Sequence, residues 1–197
     1  MKCANAVMLA ALVLCPAAQP AFAQREEQPT PGIWASKVFR WKYNPAMRPS
    51  WLSDDQARKL LVDAAREWEP CGLRVEYMGE TDLPSGTMDG VNVVGWRPDL
   101  PRHLRGITLG RAREGKLIER DITFASARPE FERYPTLLRK VVVHEFGHAI
   151  GLTHSGTCND VMTLAADCGR ADPMSLPQTP TPHDLERCRA MYMDHRP

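Results

Sequence analysis

Residues 144–154 read His-Glu-Phe-Gly-His-Ala-Ile-Gly-Leu-Thr-His, which gathers three histidines and a glutamate into one short stretch. Residues four apart on a helix stand on one face, one turn above the other. His144 and His148 can therefore aim ring nitrogens at a single ion, each about 2.0–2.1 Å away. The helix cannot supply a third ligand to the same point without folding back. Gly151 offers the exit, because glycine reaches the left-handed conformation that ends a helix sharply. The chain can then return His154 to the ion. Three histidines leave one tetrahedral position open for water, whose pKa a zinc ion lowers toward about 7. Glu145, directly after the first ligand, is the candidate general base, taking a proton from that water and passing it to a leaving amine. The chemistry expected is zinc-assisted hydrolysis. Two other readings of the same residues are weighed against it. The histidines could be packed or solvated residues of an ordinary helix. Alternatively they could form a closed structural zinc site with Cys158 or an aspartate as fourth ligand, which would leave Glu145 without work.

The elements that must carry these residues can be read from periodicity. A helix is expected from about Pro135 to Ile150, with Leu137, Leu138, Val141, Val142, Phe146 and Ala149 as packing residues. An earlier helix begins at Ser53, with Gln56 completing a capping box. It carries Ala57, Leu60, Leu61, Ala64, Ala65 and Trp68 on one face and stops at Pro70. Strands are expected at Lys37–Tyr43, Leu73–Met78 and Val91–Trp96. Ile107–Arg113 and Ile118–Phe124 flank a turn at Glu114-Gly115-Lys116 and read as a strand pair. A last helix has Thr181 as N-cap, Pro182 at its first position and Asp184 at its third, with Leu185, Cys188 and Tyr192 facing inward. The order of elements gives an α+β (mixed α/β) domain with one mixed sheet. The five tryptophans are expected to be packing residues.

Composition sets the outer bounds. The chain has 197 residues, 43% hydrophobic and 25% charged, with formal net charge +1, which favours one domain with a real core and gives no sign of a nucleic-acid partner. Lys2, the apolar run from Ala6 to Cys15, and Ala21-Phe22-Ala23 form an export signal over residues 1–23, with the mature chain starting at Gln24. A lipidated Cys15 is disfavoured by the bulky Leu14 before it. No later segment is apolar for long enough to span a bilayer, so no membrane contact is expected after signal removal. The expected location is secreted, periplasmic or extracellular. Residues 24–36 are a Pro-rich lead-in, and 37–197 form the domain. Export makes the remaining cysteines candidates for disulfides. Of the three pairings open to them, Cys158–Cys168 and Cys71–Cys188 are favoured; metal binding by these cysteines is the alternative, without a C-x-x-C spacing to support it.

With the motif extended to His154, the sequence resembles the metzincin metalloproteases, and among them the matrixins (peptidase family M10). Ser155 follows the third histidine as it does in matrixins. Met162 lies eight residues after His154, at the matrixin spacing for the Met-turn that floors the zinc site. The likeness spans about residues 33–193 and is strongest at 137–162. It implies a five-stranded twisted mixed sheet, an active-site helix and a C-terminal helix. Arg120–Phe124 would be the last parallel strand, and Ile107–Arg113 the antiparallel edge strand to which an extended peptide substrate adds. It also implies one catalytic zinc, a protein or peptide substrate, and a monomer. Lys140, one turn before His144, falls at the base of the main specificity pocket, and the alternative is a lysine reaching solvent. Arg111, Arg113 and Lys116 make the edge hairpin basic, as edge strands commonly are to block aggregation. Calcium is not expected, since no acidic cluster of the animal matrixin kind is evident. Residues 24–36 hold no cysteine to cover the zinc in the matrixin manner, and a carboxylate such as Glu26 or Glu27 is the alternative cover. Thr163 and Leu164 replace the Pro-x-Tyr wall found in many matrixins. A catalytically silent zinc-binding scaffold that docks peptides is the second functional reading.

Overall fold

The computed structural model describes residues 30–164, 168 and 177–193. The expected export signal, Gln24, Glu26 and Glu27 lie outside the described residues. Five strands form one sheet: β1 (Val38–Tyr43), β2 (Arg74–Glu80), β3 (Val93–Arg97), β4 (Gly106–Arg113) and β5 (Lys116–Ala125), in spatial order β2-β1-β3-β5-β4. β1, β2, β3 and β5 run parallel, and β4 pairs antiparallel with β5 at the edge. The β4–β5 turn places Glu114 and Gly115 at φ 52° and 72°. Positive φ at both central residues matches the twist of a tight hairpin, and this is where glycine is needed.

Helix α1 (Asp54–Arg66) starts as its sequence dictates. Ser53 Oγ accepts from Gln56 N at 3.2 Å while Gln56 Oε1 accepts from Ser53 N at 2.9 Å. It ends earlier than the Pro70 stop implied. Trp68 N bonds to Ala65 O, three residues back, and a 3₁₀ turn over Glu69–Cys71 follows. The tighter turn suits Pro70, which brings no N–H to a helix start. It also lets the Trp68 indole donate to Val143 O at 3.0 Å, on the helix that carries the histidines.

That helix, α3 (Pro135–Ala149), follows a short α2 (Pro129–Arg133) that periodicity did not reveal. α3 buries Leu138, Val142, Val143, Phe146 and Ala149. Phe146 meets the rings of Phe39 and Trp41 on β1, with centroids 6.5 and 5.3 Å away. The polar side of α3 is thereby fixed relative to the sheet. Trp34, Trp41, Trp68 and Trp96 are buried and Trp51 is partly so, as packing residues should be. The C-terminal helix α4 (Pro182–Met193) buries Asp184, Cys188 and Tyr192. No described helix is long and apolar enough to cross a membrane.

Both favoured disulfides are present. Cys71–Cys188, 117 residues apart, ties the turn after α1 to α4, and Cys158–Cys168 closes a loop of separation 10. In the chain-entropy model these restrict the unfolded chain by ~5 and ~3 kcal/mol respectively. Replacing Cys71 and Cys188 by serine should therefore lower the unfolding free energy in denaturant more than the same change at Cys158 and Cys168. Equal losses would contradict the loop-length account.

Candidate metal centre

The turn after α3 brings the third histidine back. Gly151 sits at φ 105°. Its N–H donates to His148 O at 2.9 Å, and Leu152 N donates to Gly147 O at 3.0 Å. Those two bonds are a Schellman cap, which satisfies the last carbonyls and reverses the chain. A Cβ at Gly151 would also strike the carbonyl of Gly32, so no other residue fits. The result is a cluster of His144, His148 and His154, in which one ring nitrogen from each lies within 4.8 Å of the others. His148 Nε2 and His154 Nε2 are 3.1 Å apart.

Backbone carbonyls orient two of the rings. His144 Nδ1 lies 2.7 Å from Val161 O, and His148 Nδ1 lies 2.7 Å from Leu152 O. A carbonyl only accepts, so each Nδ1 carries the proton and each Nε2 presents a lone pair. His154 Nδ1 is buried without a hydrogen-bond partner. Arg187 of α4 holds the backbone there by donating to Thr153 O at 3.0 Å and His154 O at 3.3 Å. Burial lowers the pKa of all three imidazoles. The rings also act on one another: His144 and His154 lower His148, and His144 lowers His154, with Lys140 acting on His144, and Arg120 and Arg187 adding to the effect at His148 and His154; His154 is pushed down to about 4. These shifts all favour the neutral ring, the form that binds a metal.

Met162 packs against α3 at Gly147. A Cβ at Gly147 would overlap Met162 Sδ and come 2.8 Å from the Trp68 ring, so the glycine inside the histidine motif makes room for Met162. Asp184, fully buried, holds the segment that carries Met162. Its carboxylate accepts from Val161 N at 2.8 Å, Met162 N at 3.4 Å and Thr181 N at 3.0 Å. Thr181 Oγ1 accepts from Asp184 N at 3.1 Å in return, so the expected helix cap and the hold on residues 161–162 are one network. On the other side, Ser155 N donates to Met162 O at 2.8 Å.

Glu145 is 3% exposed and lies against β4. Thr108 Oγ1 is 2.7 Å from Glu145 Oε2 and 3.1 Å from Glu145 O. Gly106, on the same strand face, leaves the space that the Glu145 side chain fills. Lys140 is 6% exposed, which replaces the solvent-reaching alternative with an interior position. The four cysteines are paired in disulfides and stand apart from the cluster, so Cys158 is not a fourth ligand. Among the described residues the three histidines form the only group of this kind.

Sequence reading did not find Thr108, Gly106, Arg187 or the reach of Asp184 to the Met162 turn. One cue was present for β4. Gly106, Thr108 and Gly110 recur at alternate positions, and a run of small residues on one strand face marks close approach by another element.

Removing the Asp184 carboxylate should strand two buried N–H groups, at roughly 1–3 kcal/mol each, and a third, on Thr181, that is partly buried. Asp184→Ala is therefore expected to lower stability by ~3 kcal/mol or more in denaturant unfolding. Loosening Val161, the partner of His144, should also weaken zinc binding at least ~10-fold in a metal titration. Wild-type stability and affinity in this variant would contradict the role assigned to the network.

Comparison with known proteins agrees with this geometry. A family model described as matrixin, the M10 peptidases, matches residues 51–193. No curated protein matches. Among solved structures, one titled "GM1 bound form of the ECX AB5 holotoxin" is similar to this chain, with a TM-score of 0.50 and 15% sequence identity. The likeness covers 79% of this chain and 80% of that one, and at such identity it speaks to the fold alone. The matrixin match spans most of the sequence, including the histidine motif, Met162 and α4, and the chain belongs to the matrixin family of metallopeptidases.

Proposed function

We propose that this chain is a secreted zinc endopeptidase, with residues 1–23 as export signal, 24–36 as lead-in and 37–197 as catalytic domain. The observation that carries the reading is the convergence of three imidazoles, two of which, His144 and His148, have their Nδ1 atoms already committed to backbone carbonyls. Lone pairs packed together repel unless a cation lies between them. Tetrahedral zinc at 2.0–2.1 Å needs ligand nitrogens spaced by roughly 3.4 Å. Here the His148 and His154 Nε2 atoms are 3.1 Å apart and all three ring nitrogens lie within 4.8 Å of one another, a cluster of the size such an ion needs.

His144, His148 and His154 would hold the ion, with Met162 beneath them. Zinc supplies Lewis acidity, acidifying water and polarising the scissile carbonyl. Glu145 takes the proton of the attacking water as its oxygen bonds to the carbonyl carbon, and delivers that proton to the amine as the C–N bond breaks. β4, at the end of the sheet order, offers an edge on which an extended peptide can add as a strand. Arg111 on that strand is partly neutralised, since it donates to the buried Glu119 carboxylate at 2.6 Å. That supports a protective role for its charge rather than attraction of acidic substrates. Lys140, buried one turn before His144, forms the base of the specificity pocket and selects polar or acidic side chains in the substrate. Export is supported by the leader's composition and by the two disulfides.

Casein or gelatin digestion by the purified chain should be abolished by a chelator and restored by zinc. Glu145→Ala should lose about 10²-fold or more in kcat while retaining bound zinc. Zinc binding without any turnover by the wild type would instead favour the silent peptide-docking scaffold. In a peptide-library digest, Lys140→Leu should shift the cleavage profile toward apolar side chains, and an unchanged profile would remove Lys140 from the pocket.

A further inference from the structure

The hydroxyl of Thr108 makes a contact that the zinc chemistry above does not require. It lies 2.7 Å from Glu145 Oε2 and is 2% exposed. The partners are 37 residues apart and belong to different elements, β4 and α3. Hydrogen bonds from a neutral hydroxyl to a carboxylate are short and strong, and stronger again away from water. The same oxygen is 3.1 Å from Glu145 O, so it contacts both the side chain and the backbone of one residue.

β4 is shaped around this contact. A Cβ at Gly106 would come within 2.8 Å of Glu145 Cγ and 3.0 Å of Glu145 Oε1. The missing side chain at 106 therefore opens a slot, and the hydroxyl at 108, next on the same strand face, provides its donor. Glutamate has several freely rotating side-chain bonds, and a base must be held near its reactive orientation to be effective. The slot and the donor supply that restraint from outside the helix.

We propose that Thr108 is the positioning residue for Glu145, and that through it the edge strand β4 sets the orientation of the general base. The inference rests on the peptidase reading and deepens it. Thr108 sits on the strand that a bound peptide would extend, so one residue connects substrate register to the group that moves the proton. Thr108 itself transfers nothing.

The test is Thr108→Val, which keeps the shape and removes the hydroxyl, with Thr108→Ser as the conservative control. For the zinc-loaded chain, kcat on a fixed peptide should fall roughly 10- to 100-fold with KM nearly unchanged. Thr108→Ser should recover most of kcat. Zinc affinity should stay close to wild type in both variants, and Thr108→Val, which strips a buried carboxylate of its hydroxyl donor, should still fold but melt at a lower temperature than Thr108→Ser. Combined with Glu145→Gln, Thr108→Val should cause no further loss, because its effect runs through that carboxylate. A Thr108→Val enzyme with wild-type kcat overturns the proposal while leaving the peptidase reading intact. So does a loss that Thr108→Ser shares, or one that persists in the Glu145→Gln background. A wild type that cleaves no peptide overturns the peptidase reading and this inference with it.

Discussion

A single straight helix can bring two side chains to one point but not three. The site depends on how that limit is met. His144 and His148 stand on one face of α3, and the reversal at Gly151, with φ 105° and its two capping hydrogen bonds, returns His154 to them. Two constraints act on Gly151 together. The left-handed backbone disfavours any side chain, and the carbonyl of Gly32 occupies the place a Cβ would take. A second glycine, Gly147, answers a different need, since Met162 packs where its side chain would be.

Around that reversal, one short segment serves several parts of the site. Val161 gives its carbonyl to His144 and its N–H to Asp184, while Met162 is gripped through both its N–H and its carbonyl. α4 therefore acts on the centre through the backbone: Asp184 fixes residues 161–162, and Arg187 fixes the backbone at His154. Cys188 anchors α4 to the turn after α1. Burial first, then the histidines' effect on one another and the cations Lys140, Arg120 and Arg187, all disfavour protonation of the rings, which favours free lone pairs.

Local physics made much of this legible in the sequence. The Ser53–Gln56 and Thr181–Asp184 caps, the Glu114-Gly115 hairpin and the Gly151 stop each depend on a few neighbouring residues, and each formed as its residue types required. Local pattern gave the strands and a single mixed sheet; the resemblance to matrixins added which strand is the antiparallel edge. What stayed hidden depends on tertiary approach. Thr108 looks like an ordinary strand residue until α3 is laid against β4. Asp184 reads as a helix cap until its carboxylate is seen to reach residues more than twenty positions earlier. α2 is a single short turn, too brief for periodicity to register. Trp68 has helical spacing, yet its bond to Val143 O draws it out of α1 into the turn.

The central claim is that three imidazoles and no other protein group hold one zinc ion. X-ray absorption at the zinc edge, on the purified chain loaded with one equivalent, reads that coordination directly. The account predicts imidazole scattering from three histidines, with Zn–N near 2.0–2.1 Å, and a single additional light-atom ligand. A sulfur shell near 2.3 Å, or scattering that fits only two imidazoles, would contradict it.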